Sequence, residues 1–167
     1  MLSQGRLRKR AVELIKKLGL TGSFDAFEFA KRLQEKLGYE IKLQPLLMPP
    51  GLFGLWSLIK NCHVILYRAN TSWLHQQQII LHECGHICLG HHPGDIKKFL
   101  KREAVYSTPQ EEEAETFATL LLEKAITQSF GESGIFLEQS SDMLNFGGYP
   151  EDIKSMQEFL DSLKELN

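Results

Sequence analysis

The amino-acid sequence predicts an α+β fold: a small antiparallel sheet of about three strands packed on a pair of longer helices, with two helices before it and further helices after it. Three observations predict it. Apolar residues recur at helical spacing before residue 38 and again between about residues 80 and 125. The stretch between them alternates or runs apolar in short segments, as strands do. Finally, 167 residues with 43% hydrophobic content can bury one sizeable core but not two, so residues 1 to 167 are expected to form a single domain.

Taken in order, Leu7, Ala11, Leu14, Ile15 and Leu18 repeat at helical spacing up to Gly19, and Phe27, Ala30, Leu33 and Leu37 do so up to Gly38. Both read as amphipathic helices. The connection Gly19-Leu20-Thr21-Gly22-Ser23, and the lack of a second helix bearing polar base-reading residues, argue against a helix-turn-helix. Arg6, Arg8, Lys9, Arg10, Lys16 and Lys17 read as a solvated helix face. Tyr39 to Leu43 alternates as a strand, and Leu52 to Ile59 with Cys62 to Tyr67 reads as a hairpin around Lys60-Asn61. Between them, Pro45 to Gly51 is apolar and broken by prolines, which suits either a rim above a cleft or a cover over the core. A helix carrying residues 80 to 89 should stop at Gly90, before a turn at His91-His92-Pro93-Gly94. Ala114, Phe117, Ala118, Leu121, Leu122 and Ala125 mark a second long helix with one buried side. Residues 126 to 167 form a tail of turn-rich segments, with an amphipathic helix at Ile153, Met156, Phe159, Leu160 and Leu163 expected to dock on the core.

The chemistry lies in His82-Glu83-Cys84-Gly85-His86. At about 100° per residue, His86 falls about 40° and Glu83 about 100° from His82, so the three share one sector of a helix. Histidines four apart have Cβ atoms roughly 5–6 Å from each other, close enough for one metal ion to touch both rings. Cys84 and Cys88 fall about 200° and 240° round the same wheel, and read as small core hydrophobes rather than ligands. A catalytic zinc takes three protein ligands and a water, so a third ligand is needed downstream. Of the acids in Glu111-Glu112-Glu113-Ala114-Glu115, Glu111 and Glu115 lie beside the apolar stripe, while Glu112 and Glu113 point further toward solvent. Glu111 is the first choice, because a carboxylate on the buried side needs a partner. Thr108-Pro109-Gln110-Glu111 also fits a capping box in which Glu111 reaches back to the cap, and Glu112 would then be the ligand. Glu115, one turn on, is placed to accept a hydrogen bond from a zinc-bound histidine.

These residues carry a resemblance. HECGHICLGHH at 82 to 92, followed by EEEAETFATLLL at 111 to 122, resembles the ImmA/IrrE family of zinc metallo-endopeptidases, whose pattern is HExGH and then Glu-x-x-Ala-Asn/Asp-x-Phe-Ala in a second helix. The resemblance implies a zincin-like helix pair, Zn²⁺ on His82, His86 and Glu111, and Glu83 as catalytic acid/base. Phe117 and Ala118 match the Phe-Ala pair, while Glu115 stands where the family has Asn or Asp. The likeness covers about residues 6 to 125; the Met-Pro pair that often follows in the family is absent. It also implies the substrate class: a helix-turn-helix transcriptional repressor whose cleavage derepresses stress or mobile-element genes.

Other classes of function find less support. A net charge of −2 and a pI near 6.3 offer no electrostatic case for nucleic-acid binding. Three cysteines do not make a disulfide framework, and with no signal peptide or membrane-length apolar run the expected location is the cytoplasm. Ser107, Thr108 and Cys62 lack the base and orienting group a nucleophile needs. His75 is too far from His82 to share a metal but can line the cleft; His91 or His92 is placed to donate to a reacting carbonyl. The competing reading is a non-catalytic, zinc-stabilised module that binds a repressor or toxin.

Overall fold

Two helices form where the apolar spacing places them. α1 (Gln4–Lys17) buries Leu7, Ala11 and Ile15 and leaves its basic residues exposed. α2 (Ala26–Leu37) starts at Asp25, whose carboxylate accepts the Glu28 N–H at 2.8 Å, and stops at Gly38 with φ 72°. That left-handed conformation costs glycine nothing and closes the helix. The structure, a computed structural model, describes residues 1–130. The expected tail helix at Ile153 to Leu163 lies outside the described residues.

Three strands follow: β1 (Ile41–Leu46), β2 (Gly54–Ile59) and β3 (Cys62–Arg68). β2 and β3 make the expected antiparallel hairpin, turned by Lys60 and Asn61 with φ 49° and 62°. Two consecutive positive φ values match the twist of a two-residue hairpin. The sheet is mixed rather than antiparallel throughout, because β1 pairs with β3 in parallel, Ile41 opposite His63, giving the order β1-β3-β2. Alternation along a strand reports which face is buried, not which way the strand runs. Direction here follows from the connection. Residues 47 to 53 cross the end of β3 before the chain returns along its far side, held by Arg68 Nη1, which donates to the carbonyls of Pro49 (2.9 Å) and Leu52 (3.1 Å). Pro45 sits in β1, an edge strand that tolerates its missing donor.

α3 (Trp73–Leu89) begins at Ser72, which accepts the His75 N–H, and ends at Gly90 with φ 74°. The short α4 (Ile96–Leu100) and the long α5 (Thr108–Phe130) complete the described chain. Phe29, Leu33, Ile65, Ile80, Phe117 and Leu121 form the main core between helices and sheet, together with the fully buried Cys84. Cys88 packs at its margin, as the helical wheel predicts. A smaller core of Met48, Leu52, Leu55, Val64, Leu66 and Phe99 fills the other face of the sheet. The proline-broken segment serves both expected purposes: Met48 is buried, while Gly51, Leu52 and Phe53 border the cleft. Among the described residues, no helix is long and apolar enough to cross a membrane.

α3 and α5 pack closely at Gly85. A Cβ there would lie 3.3 Å from the Ala114 carbonyl oxygen and 3.4 Å from Phe117 Cδ1. The missing side chain lets the two backbones approach, and this approach carries the acids of α5 to the histidines of α3.

Candidate metal centre

His82 and His86, one turn apart on α3, aim Nε2 atoms at each other across 3.1 Å. Glu111, in the first turn of α5, brings Oε2 to 3.2 Å from His82 Nε2 and Oε1 to 3.9 Å from His86 Nε2. One ligand atom from each of the three lies within 4.8 Å of the others, so the group can hold a metal ion. The spacing fits zinc: tetrahedral ligands at 2.0–2.2 Å from the ion sit roughly 3.3 Å from each other. Two imidazoles and one carboxylate are also a donor set that leaves a fourth position open.

Glu111 is available because the cap of α5 lies one residue earlier than expected. Gln110 Oε1 accepts from the Ser107 N–H (3.2 Å) and from the Ser107 hydroxyl (3.0 Å), and the Glu111 N–H donates to the Ser107 carbonyl. The side chain that reaches back to the start of α5 is therefore that of Gln110, on the Ser107 N–H, and not that of Glu111 on Thr108. Glu112 is exposed and outside the ligand group. Glu115 takes the place expected of it: Oε2 lies 3.3 Å from His82 Nδ1, and Oε1 accepts from Gln78 at 2.8 Å.

Glu113 departs from the expectation of solvent exposure, with only 9% of its surface accessible. The helical wheel knew only α5's own stripe. The chain after α3 and the residues before α1 cover that side: Glu113 Oε2 lies 3.2 Å from His91 Nε2, and Oε1 accepts the Leu2 N–H. His91 is thus turned behind His86 and not into the cleft, while His92 is exposed and does not line it. His75 does line the cleft, as expected.

The electrostatics suit a cation. Burial lowers the pKa of His82, but hydrogen bonds with Glu111 and Glu115 and the nearby Glu83 charge outweigh it and raise the value to about 10. Burial, with His82 and His91 beside it, drives His86 down to about 2, so this ring is neutral and its lone pair available. Burial raises Glu83 to about 7 against the lowering influence of His82 and the Trp56 N–H, which donates to Glu83 Oε2 at 2.8 Å. A carboxyl near neutrality is suited to take and return a proton.

His82, His86, Glu111 and Glu83 meet a cleft of about 380 Å³, walled by Leu52, Phe53, Leu55, Phe99, Val105 and Tyr106. Only His86 of the four does not itself line it. Gly54 borders Glu83 so closely that a Cβ would stand 3.0 Å from Oε1. Sequence reasoning missed Tyr106, whose ring stacks on His86 at 3.7 Å between centroids and 17° between planes. Its hydroxyl donates to the Trp56 carbonyl at 3.1 Å, and burial raises its pKa. No periodic pattern marks Tyr106, which lies in the irregular stretch before α5; its only signal is that it closely precedes Glu111.

β2 is the edge strand beside the centre, and at Trp56 that edge is filled by the protein itself. The N–H is held by Glu83, and the carbonyl accepts from the Gly94 N–H (2.7 Å) as well as from Tyr106. Compared with known proteins, the chain matches no protein-family model, no curated protein and no solved structure.

Proposed function

We propose that the protein is a zinc-dependent endopeptidase that cleaves a peptide bond in a protein substrate. One observation carries the reading: His82, His86 and Glu111 converge within 4.8 Å beside a buried Glu83 with a pKa near 7, at the wall of an open cleft. The substrate class, a helix-turn-helix repressor in the cytoplasm whose cleavage derepresses stress or mobile-element genes, rests on the resemblance of residues 82 to 92 and 111 to 122 to ImmA/IrrE peptidases.

In this reading His82, His86 and Glu111 hold the ion, whose chemistry is to polarise a carbonyl and lower the pKa of water to about 7. Glu83 takes the proton of the attacking water and delivers it to the leaving amine, which keeps the charge balanced through the cycle. Trp56 fixes Glu83 Oε2 and leaves Oε1 at Gly54, the next outward-facing position on the β2 edge. An extended substrate pairs with the backbone there, as peptides do when they add to an exposed strand. Leu52, Leu55, Phe99 and Val105 offer an apolar wall for one substrate side chain.

A second reading, a metal-stabilised module that binds a repressor or toxin without cleaving it, is favoured by the internal satisfaction of the edge at Trp56. Mass spectrometry of a repressor incubated with zinc-loaded wild type and Glu83→Gln decides between them. The peptidase reading expects fragments from wild type and none from the variant, at equal zinc content. Intact repressor in both, with stable complexes, selects the binding module.

A further inference from the structure

We propose that His91 is a positioning residue of the metal centre, orienting His86 through a hydrogen-bonded relay that Glu113 anchors. The inference rests on the reading of His82, His86 and Glu111 as a metal centre.

The relay begins in the way α3 ends. Gly90, at φ 74°, turns the chain so that its N–H donates to the Ile87 carbonyl (3.2 Å) and the His91 N–H donates to the His86 carbonyl (3.0 Å). These paired bonds are a Schellman motif, in which the residue after the left-handed glycine folds back against the last turn. His91 is that residue, and His86 is the one it meets. Their Nδ1 atoms lie 2.8 Å apart, and the His91 side chain is only 7% exposed.

The direction of each bond follows from its outer end. The Glu113 carboxylate can only accept, so His91 Nε2–H donates to Oε2 across 3.2 Å. With that proton on Nε2, the His91 atom facing His86 is Nδ1, 2.8 Å from His86 Nδ1, and in the relay it accepts from His86 Nδ1–H. His86 is left with its lone pair on Nε2, the atom that faces His82 and Glu111. Every donor meets an acceptor, and the order of protons selects the tautomer of His86 that can ligate. Glu113 is fixed in turn by the Leu2 N–H on its other oxygen. The two ligand histidines are therefore held differently: His82 directly by a carboxylate, Glu115, and His86 by a histidine with the carboxylate one step further out. Partners of this kind orient a ligand ring and set its basicity.

Two polar variants separate orientation from packing. In His91→Asn the amide oxygen occupies the place of Nδ1 and still accepts from His86; in His91→Gln the amide reaches the place of Nε2, keeps Glu113 and leaves His86 without its acceptor. Zn²⁺ affinity of the full chain, measured by chelator competition, should fall 10–100-fold in His91→Gln, with most of it retained in His91→Asn. In metal-free protein, ¹⁵N shifts of the His86 ring should report the Nδ1–H tautomer in wild type and His91→Asn but not in His91→Gln. Circular dichroism shows whether each variant is folded; a variant that does not fold leaves its partner variant and wild type to be compared. Equal loss of affinity in both variants, or none in either, overturns the proposal. A wild type that binds no zinc is a different failure, visible without any variant, and removes the metal centre itself.

Discussion

Gly54→Ala tests the geometry that places Glu83. The new Cβ would stand 2.5 Å from Ile79 Cγ2, 3.0 Å from Glu83 Oε1 and 3.3 Å from the Leu66 carbonyl oxygen. Ile79 is 6% exposed and β-branched, so its methyl cannot swing clear without leaving its preferred rotamer. Overpacking of this kind costs about 1–3 kcal/mol. Alanine in place of glycine in a strand returns about 0.5–1 kcal/mol. From the middle of each range, the net expectation is a loss of about 1 kcal/mol, which for a chain of this size lowers Tm by roughly 2–4 °C. Thermal unfolding of metal-free protein reads it directly. Ile79→Ala alone should also destabilise, by about 2–5 kcal/mol, but the double variant should cost less than the sum, because the second alanine finds space. Zinc affinity should change little, since Glu83 lies outside the group of His82, His86 and Glu111, while peptide cleavage should fall. A Gly54→Ala protein as stable as wild type, or strict additivity with Ile79→Ala, would refute the placement of β2 against Glu83.

Other substitutions probe the site and its supports. Glu111→Gln should lose or greatly weaken zinc when dialysed against a weak chelator, whereas Glu112→Gln should match wild type; the reverse would make Glu112 the ligand. Glu83→Gln should keep its zinc and its fold, the amide oxygen still accepting from Trp56, yet lose about 10²–10⁴-fold in cleavage rate. Zinc binding at neutral pH should release a proton, because His82, with its pKa near 10, is charged in the metal-free protein and must be neutral to ligate. Apparent affinity should therefore rise as pH climbs toward 10, by about tenfold or 1.4 kcal/mol per unit where this proton dominates. Calorimetry in buffers of different ionisation enthalpy counts it, and zero protons released would contradict the His82 environment. The same shift has a stability sign: a raised histidine stabilises the metal-free fold below its ordinary value of 6.5, and that contribution is lost as pH rises through about 10. Gln110→Ala should cost about 0.5–1.5 kcal/mol in thermal unfolding and Thr108→Ala much less, since it is Gln110 that accepts the Ser107 N–H at the start of α5.

The sequence by itself determined those features that depend on spacing along one element. His82, Glu83 and His86 share a face because they lie within a turn of each other on one helix, and Cys84 is buried because the same wheel turns it away. The hairpin follows from Lys60-Asn61 between two apolar runs, and the helix stops from Gly38 and Gly90. Choosing Glu111 over Glu112 was legible in the apolar stripe of α5, although a capping box one residue out of place competed with it. Only the tertiary structure decided what depends on contacts between elements. β1 runs parallel to β3 because the connection from residue 47 to 53 crosses the end of β3, and side-chain alternation carries no direction. Glu113 is buried by residues from two other parts of the chain, so the helix that bears it holds no record of its surroundings. His91, Tyr106 and Trp56 join the site for the same reason. Each reaches His86 or Glu83 through a turn or a strand edge, and local periodicity encodes neither.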